Sequence, residues 1–352
     1  MRHLGPMGRL GITIPVAILG TLLAVTPVLA CGGLIGPNGA VNLLRTTTLA
    51  GYHDGIEHYV TSFEFAGGGG AFGSITPLPG IPTSVVKGGD WTLQRLIRET
   101  SPVQFDEAFR AASPAASGAE ELLKVKIDAL DITVLRGGGA DIGQWATKHG
   151  FRLPPDSPEV LDFYAQRSPI FLAAAFDADA AAGRGQQVGD GTPVHITIPT
   201  DNPWVPLRIL ALGKTGTETV QADVDLLTDN APALLPAPTG KNGIRLDHSA
   251  AASDSLLTDL RSDRGMEWIP SSGWLTKVAV DAAAGDLTYD LAIDVTGAGA
   301  PSRVDAGFEL PGVKAVVDTF DARRFVLAIG FALMGIAGIW LVGRSRPGAT
   351  LR

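Results

Sequence analysis

The stretch YHDGIEHY, residues 52–59, places two histidines and two acidic residues within six positions. Histidine and carboxylate side chains are common zinc ligands, so a metal site or a zinc protease comes into question. The HxxEH type of protease needs its ligands on one face of a helix, and it would require histidine at position 54, where this chain has aspartate. Asp54-Gly55 instead favours a two-residue hairpin turn.

In such a hairpin, side chains alternate between the two faces of the ladder. His53, Ile56 and His58 then share one face, while Glu57 and Tyr52 point to the other. We therefore expect a solvated hairpin. A metal held diagonally by His53 and His58 stays open as the alternative, and it would need a third ligand that the sequence does not indicate.

Two serines and two histidines could supply a nucleophile and a general base. Ser74 or Ser272 would provide the hydroxyl, and His195 or His248 would accept its proton. Neither serine lies in the GxSxG context of a nucleophile elbow. With six histidines in the chain, such pairs arise easily by chance, so a hydrolase is only the alternative interpretation.

The string GGGADIG, residues 137–143, follows a strand-like run and precedes a helix-like one. That order is typical of phosphate-binding turns, but the glycine spacing matches neither GxGxxG nor GxxxxGKS/T. We predict a tight turn in which Asp141 caps the following helix. No cofactor is expected at this position.

Tryptophan side chains can form platforms for sugars, and five are candidates: Trp91, Trp145, Trp204, Trp268 and Trp274. Tryptophan is more often largely buried with its N–H bonded. Trp91 and Trp145 lie in predicted amphipathic helices, so we expect both in the core.

A dense charge cluster, Arg261, Asp263, Arg264 and Glu267, follows a predicted helix. The simpler interpretation is a solvated helix end whose ion pairs contribute little individually. The alternative is a docking patch for a partner. The sequence therefore assigns no catalytic, cofactor-binding or metal-binding residue.

The elements that must position these side chains follow from apolar periodicity and turn residues. Together, the predicted strands and helices form a mixed, strand-rich α+β pattern with several short helices and no regular βαβ repetition. Strands are predicted at 41–50, 56–65, 71–79, 122–135, 169–178, 194–200, 206–213, 218–228, 274–282 and 286–295, the last two as a hairpin. Helices are predicted at 91–99 with Asp90 as N-cap, at 140–149 with Gly150 as C′ residue, at 157–167 and at 253–265, and a loop at 230–243.

Composition narrows the class of protein. The 352 residues carry a formal net charge of −8, and no basic cluster is dense enough for a nucleic-acid footprint. Apolar residues make up 45% of the chain and the mean hydropathy is +0.20, with the excess at the two ends. The single cysteine excludes an internal disulfide, so the region between the ends must be stabilised by its core.

The N-terminus has the pattern of a secretory signal peptide over residues 1–30. Arg2 and Arg9 precede an apolar run, and Val28 and Ala30 occupy the small-residue positions before Cys31. An uncleaved N-terminal anchor is the alternative, which Pro15 and the short apolar run disfavour. Cys31 would be either a lipidated N-terminus or a plain thiol.

The C-terminus is predicted to span a membrane. Residues 325–342 contain no charge over 18 positions, which meets the lower length for crossing a bilayer. A cleaved signal peptide directs the rest of the chain to export, and the tail 343–352 carries three arginines suited to the cytoplasmic side. The chain thus divides into an extracytoplasmic region 31–300, a stalk 301–324, the span and the tail; a break near 111–119 would split the region into two subdomains.

Several strings resemble the bacterial family named domain of unknown function 2330. They include FGSITPLPGIP, GGDWTLQRLIRE and LLTDLRSDRGMEWIPSSGWLT. The most specific is the pattern W-x-x-x-x-G-F-x-L-P-P that begins at Trp145 and is followed by Tyr164. Members of that family often have a second cysteine five positions after the first, where this chain has Gly36, so the disulfide implied by the resemblance is absent.

From these observations we expect a membrane-anchored extracytoplasmic protein that binds a partner without catalysis. Its partners would be the lipid bilayer, through the C-terminal helix, and an envelope protein or glycan. Nucleic acid is not expected as a partner. The alternative is a cell-envelope hydrolase whose active site the sequence does not reveal.

Overall fold

The computed structural model of the chain describes residues 33–36, 39–40, 46–63, 72–100, 120–177, 192–296 and 299–312. The predicted signal peptide (1–30), Cys31, the break near 111–119, and the predicted span with its tail (325–352) lie outside these residues. Within the ranges that are described, no helix is both long enough and apolar enough to cross a membrane.

The described residues form sixteen strands, four helices and two 3-10 turns, and this strand-rich α+β composition confirms the predicted class. The strands are β1 (Gly33–Gly36), β2 (Gly39–Ala40), β3 (Thr46–His53), β4 (Ile56–Phe63), β5 (Phe72–Pro77), β6 (Ser84–Lys87), β7 (Glu120–Ile127), β8 (Leu130–Arg136), β9 (Ile170–Phe176), β10 (Thr192–Pro199), β11 (Trp204–Val205), β12 (Thr219–Thr228), β13 (Ala233–Leu235), β14 (Ile244–Ala251), β15 (Trp274–Ala283) and β16 (Leu291–Asp294). The helices are α1 (Thr92–Thr100), α2 (Gly139–Lys148), α3 (Ser157–Ala165) and α4 (Asp254–Ser262), and the 3-10 turns are Arg208–Ala211 and Ala284–Asp286.

The largest sheet has seven strands in the order β14-β15-β12-β3-β4-β10-β6. Only β3 and β12 are parallel neighbours within it. The predicted hairpin between β3 and β4 is confirmed, since Asp54 and Gly55 both have positive φ, as a two-residue turn of this kind requires. His53 lies opposite Ile56, and His58 lies opposite Gly51.

A second sheet has six strands in the order β2-β1-β5-β9-β8-β7, and β11, β16 and β13 form a small third sheet. Every residue of β9 is buried, as expected for a central strand covered on both faces. The prediction of one strand over 122–135 is wrong, because the run folds back as the β7–β8 hairpin. Asp128 makes the turn with φ of 50°, without the glycine that would have marked it.

Two cores lie on opposite faces of the seven-stranded sheet. Ala50 and Tyr59 face the larger core, which they share with the six-stranded sheet, α2 and α3. Leu49 and Val60, one position away on the same strands, face a smaller core under α1 and α4. The alternation of side chains along β3 and β4 therefore decides which core each residue enters.

Three further predictions of local structure are wrong. The apolar run 206–213 forms a 3-10 turn at Arg208–Ala211 instead of a strand. Predicted loop 230–243 contains β13. The proposed hairpin of 274–282 with 286–295 does not form, because β15 pairs with β12 and β14 whereas β16 pairs with β11 and β13. Residues 299–312, at the start of the predicted stalk, pack on the domain, with Ala306 fully buried.

Candidate functional site

The two histidines of the opening motif have different partners. His53 directs Nδ1 to the carboxylate of Asp229 at 2.7 Å, and its side chain is 41% exposed. His58 directs Nδ1 to Nε2 of His195 on the neighbouring strand β10, at 2.9 Å. The hairpin places both rings on the face predicted for them, and the sheet then supplies His195.

Trp268 covers this imidazole pair. Its ring stacks on His58 at 4.0 Å between centroids with an interplanar angle of 1°, and on His195 at 5.4 Å. Gly51 makes the close approach possible, because a Cβ at that position would lie 2.5 Å from the Trp268 ring. The result is a packed aromatic stack on the outer face of the seven-stranded sheet.

Both imidazoles are neutral at neutral pH. Burial, together with smaller contributions from nearby His195 and His53, lowers the pKa of His58 to about 4. Burial also lowers the pKa of His195 to about 4, although the Gly265 backbone and Glu267 oppose the shift. His58 Nδ1 and His195 Nε2 lie within hydrogen-bond distance, so one of these two nitrogens carries a proton and donates it to the other. Nδ1 of His195 makes no hydrogen bond of ordinary geometry to the described residues.

This arrangement does not resemble a metal centre. His53 and His58 point to different partners, and the nitrogen of His58 nearest a second histidine is already hydrogen-bonded. Among the described residues, no three His, Cys, Asp or Glu side chains come together in a way that could hold a metal ion.

The serine–histidine pairs considered from the sequence are not brought together. Ser74 is buried in β5 of the six-stranded sheet, and its hydroxyl has no described partner. Ser272 is exposed in the turn before β15. His195 lies in the other large sheet with its Nε2 facing His58, and His248 lies in β14 opposite Lys277. Within the described ranges, neither histidine is hydrogen-bonded to Ser74 or Ser272.

Glu57 occupies the opposite face of β4 and is fully buried. Burial raises the pKa of its carboxyl to about 8, and the Trp204 backbone opposes that shift only in part. Neither carboxyl oxygen makes a hydrogen bond of ordinary geometry to a described residue. Glu57 is therefore a protonated acid in an apolar core at neutral pH, which the sequence pattern did not predict.

A second group of buried charges lies on the outer face, along β12 and β15. Lys277 Nζ is 3.6 Å from an Asp223 oxygen, and both side chains are almost completely buried. Burial, with a contribution from Asp223, raises the pKa of neighbouring Asp225 to about 7 against the opposing effect of Lys277. Regular alternation along β12 and β15 puts these charges on one face, but no pattern in the sequence indicates that the face is covered.

The charge cluster at 261–267 is mainly structural. Asp263 is buried and accepts hydrogen bonds from the backbone N–H groups of Asp90 and Trp91 and from the Thr92 hydroxyl, at 2.8 to 3.0 Å. It thereby caps α1 from a distant part of the chain. The prediction of Asp90 as N-cap is wrong, since its carboxylate pairs with Lys87 and Arg264.

A buried polar network centres on Asp290. Its carboxylate accepts from the Tyr164 hydroxyl at 2.8 Å and from the backbone N–H groups of Leu207 and Arg208. Arg167 completes the network with an ion pair to Asp290, and both side chains are at most 2% exposed. Such a pair is costly to break, because the remaining charge would be buried alone.

This network explains two features of the sequence. The N–H groups that begin the 3-10 turn at Arg208 are held by Asp290 and Tyr164, so the run 206–213 is not free to continue as a strand. Tyr164 follows the most specific string of the family resemblance, which contributes Trp145, stacked on His149 at 4.1 Å, and the buried Phe151. The residues of this motif therefore contribute to the packing of the larger core.

The tryptophans have different environments. Trp145 and Trp204 are fully buried, which confirms the core prediction for Trp145. Trp274 donates its Nε1–H to Ser249 at 2.9 Å. Trp91 is 38% exposed, so the prediction that it lies in the core is wrong: it precedes α1 and lies outside the helical face that is buried.

Exposed apolar side chains are concentrated near strand β6. Ile81, Val86 and Trp91 are 46%, 44% and 38% exposed and lie within eleven residues of one another in the chain. Val86 is opposite His195 in the ladder. Strand β6 ends the seven-stranded sheet, and no described strand pairs with its outer edge. We call these three residues the β6 surface.

A model of a family described as an uncharacterized protein conserved in bacteria, DUF2330, matches residues 26–228, more than half of the chain. No curated protein matches the chain.

Two solved structures are similar at low levels. The crystal structure of baculovirus P35 gives a TM-score of 0.37 at 10% identity, covering 71% of this chain and 96% of that one. A mutated baculovirus P35 after caspase cleavage gives 0.35 at 9% identity, covering 71% and 98%. TM-scores this low do not establish a shared fold.

Proposed function

We propose that this chain, which belongs to the DUF2330 family of uncharacterized proteins conserved in bacteria, is a non-enzymatic binding module of the cell envelope. Its predicted signal peptide would export the domain, and residues 325–342 would hold it in the membrane with the C-terminus in the cytoplasm.

The β6 surface is the observation that carries the binding role. Three exposed, large apolar side chains near a strand edge that no described strand pairs with are typical of interaction sites. If no partner covered such a surface, it would promote aggregation. An edge that no described strand pairs with can accept a further strand through its backbone groups, with side-chain specificity from residues such as Val86 and Trp91. We therefore favour an envelope protein that contributes an extended segment.

The side chains that the sequence suggested for hydrolysis support the non-enzymatic part of this proposal. His195 is paired with His58 under Trp268, and Ser74 is buried in β5 of the other large sheet. Neither side chain is hydrogen-bonded to the other as a nucleophile and its base would be. Their contacts support a binding role over the hydrolase alternative.

A site-specific crosslinking experiment tests this proposal. A photoreactive phenylalanine analogue replaces Val86 in the full-length chain, and intact cells are irradiated. We expect one discrete protein adduct whose yield falls several-fold when Trp91→Ser is added, because both side chains would touch the partner. The matched control carries the analogue at Leu246 on β14, which is 46% exposed and should give no such adduct.

Equal adducts from both positions, or none from either, would argue against a docking role for the β6 surface. An adduct whose added mass survives protease but is removed by lysozyme would assign the partner as a glycan instead of a protein.

A further inference from the structure

The second concentration of exposed apolar surface lies at the C-terminal end of the described chain. Phe308 is 43% exposed and Leu310 is 56% exposed, the highest value for a large apolar side chain among the described residues. Both belong to residues 299–312, which we call the C-terminal strap. Exposure of two such side chains near each other indicates a contact surface.

The strap is held firmly against the domain. Ala306 is fully buried, and its carbonyl oxygen accepts from the backbone N–H of Asp290 at 3.1 Å. Arg167 donates to the carbonyl oxygen of Asp305. Gly307 has a φ of 79° and packs against Phe163, where a Cβ would lie 2.3 Å from the ring. Phe308 and Leu310 are therefore presented by an ordered segment and their placement costs little entropy on binding.

The position of the strap along the chain identifies the surface that it faces. Leu310 lies fifteen residues before Phe325, where the predicted span begins. Fifteen residues reach at most about 50 Å when fully extended. The strap is therefore the described segment closest in sequence to the predicted span, and the chain length between them keeps it within about 50 Å of the bilayer.

We propose that Phe308 and Leu310 dock the domain onto the outer surface of the bilayer by inserting between the headgroups and the acyl chains. This inference rests on the proposed function, because it needs the segment 325–342 to be in the membrane.

The chemistry of the strap fits an apolar contact with lipid. Phenylalanine and leucine are side chains that bury favourably at the boundary of headgroups and acyl chains. The Arg303 guanidinium, 5.8 Å from the centre of the Phe308 ring, is paired with Glu309, so its attraction to anionic lipid is largely neutralised. Two side chains would bind weakly alone, but the tether raises their effective concentration at the membrane to about the millimolar range.

The test uses the full-length chain reconstituted in phosphatidylcholine vesicles. Cys31→Ser removes the single thiol, and Leu310→Cys then carries an environment-sensitive fluorophore. Lipids with a nitroxide near the top of the acyl chain should quench that fluorophore at least two-fold. The control is Ile81→Cys, which is 46% exposed near β6 and should be quenched little. Adding Phe308→Asp should reduce the quenching at position 310.

Sedimentation with the vesicles after alkaline washing separates the two ways in which the experiment can fail. If the protein stays with the vesicles but positions 310 and 81 are quenched equally little, the proposed docking is wrong and the anchored placement is retained. If the protein washes off, both the membrane anchor and the proposed docking are wrong. Phe308→Cys provides the same readout should Leu310→Cys not fold.

Discussion

Adjacent residues of β4 show how strongly environment decides chemistry. His58 and Glu57 are adjacent in sequence, yet His58 faces the side of the smaller core, beside His195, while Glu57 faces the larger core. Burial keeps both neutral by shifting their pKa values in opposite directions, to about 4 for His58 and to about 8 for Glu57. A sequence stretch that resembles a metal site thus contributes two uncharged groups to packing.

Glu57 leads to a pH-dependent prediction. Its pKa in the folded chain, about 8, lies above the ordinary 4.5, so the folded protein binds the extra proton between these values and loses stability as pH rises through them. Glu57→Gln has no such proton. We expect the free energy of unfolding of the variant to rise relative to that of the parent from pH 5 to pH 8, by on the order of a few kcal/mol. Above pH 8 the difference should level off.

Urea unfolding of the full-length chain in mild detergent, followed by tryptophan fluorescence from pH 5 to pH 9, measures this difference. The control, Glu120→Gln, changes a side chain that is 62% exposed on β7, and it should run parallel to the parent. A difference between Glu57→Gln and the parent that stays constant over the whole range would show that Glu57 is not buried as a protonated acid.

Helix α1 shows how an element can depend on a residue far away in sequence. Its apolar spacing predicts the helix, with Leu93, Leu96 and Ile97 inward. The structure buries Leu93 and Leu96 but leaves Ile97 half-buried. The cap, however, comes from Asp263, more than 170 positions later than Asp90. Gly89 allows this approach, since a Cβ there would lie 2.3 Å from an Asp263 oxygen.

Asp263→Ala is predicted to destabilise the domain by about 2–3 kcal/mol, because it removes the cap of α1 and leaves buried donors without a partner. Asp90→Ala, which removes only exposed ion pairs, should cost less than about 1 kcal/mol. Thermal melting of the two variants side by side makes the comparison. Equal losses would mean that the cap is not supplied by Asp263.

At the scale of the whole molecule, the Asp290 network joins parts that the sequence keeps far apart. Tyr164 and Arg167 come from the end of α3, Leu207 and Arg208 from the 3-10 turn, and the strap attaches to the backbone of Asp290. The chain therefore continues as structure packed on the domain beyond the end of β16, where Ala306 is fully buried.

The whole-molecule prediction concerns placement in the cell. Protease added to intact cells should cleave the full-length protein within residues 31–300 while sparing a tag placed after Arg352, since a cleaved signal peptide would export the domain and the 18 uncharged residues would remain in the bilayer. Alkaline washing should leave the protein in the membrane pellet.

A chain that ends after Arg324 is the matched control, and it should appear in the wash. Were the full-length chain to wash off as well, or to resist protease on intact cells, the anchored extracytoplasmic placement would be wrong.

Features that depend on neighbours along the chain can be predicted from the sequence. They include the Asp54-Gly55 turn, the alternation along β3 and β4, Gly150 as the C′ residue of α2 and the family membership. The same local reasoning failed for 206–213, where apolar alternation predicts a strand but does not say which groups will compete for the backbone. Within 286–295 a strand does form, as β16, but it pairs with β11 and β13 instead of β15.

Long-range partners, in contrast, are set by the tertiary fold. That His58 meets His195 and Trp268, that Asp263 caps α1, and that Asp290 gathers Tyr164 and Arg167 all depend on pairs more than 120 residues apart, with no signal at either position. Burial is also set by the tertiary fold. Whether Glu57 is charged or neutral depends on the groups that cover it. Strand periodicity predicts which face of the sheet a residue lies on but not whether that face is buried. Contacts of this kind depend on how the sheets stack, which a linear pattern does not encode.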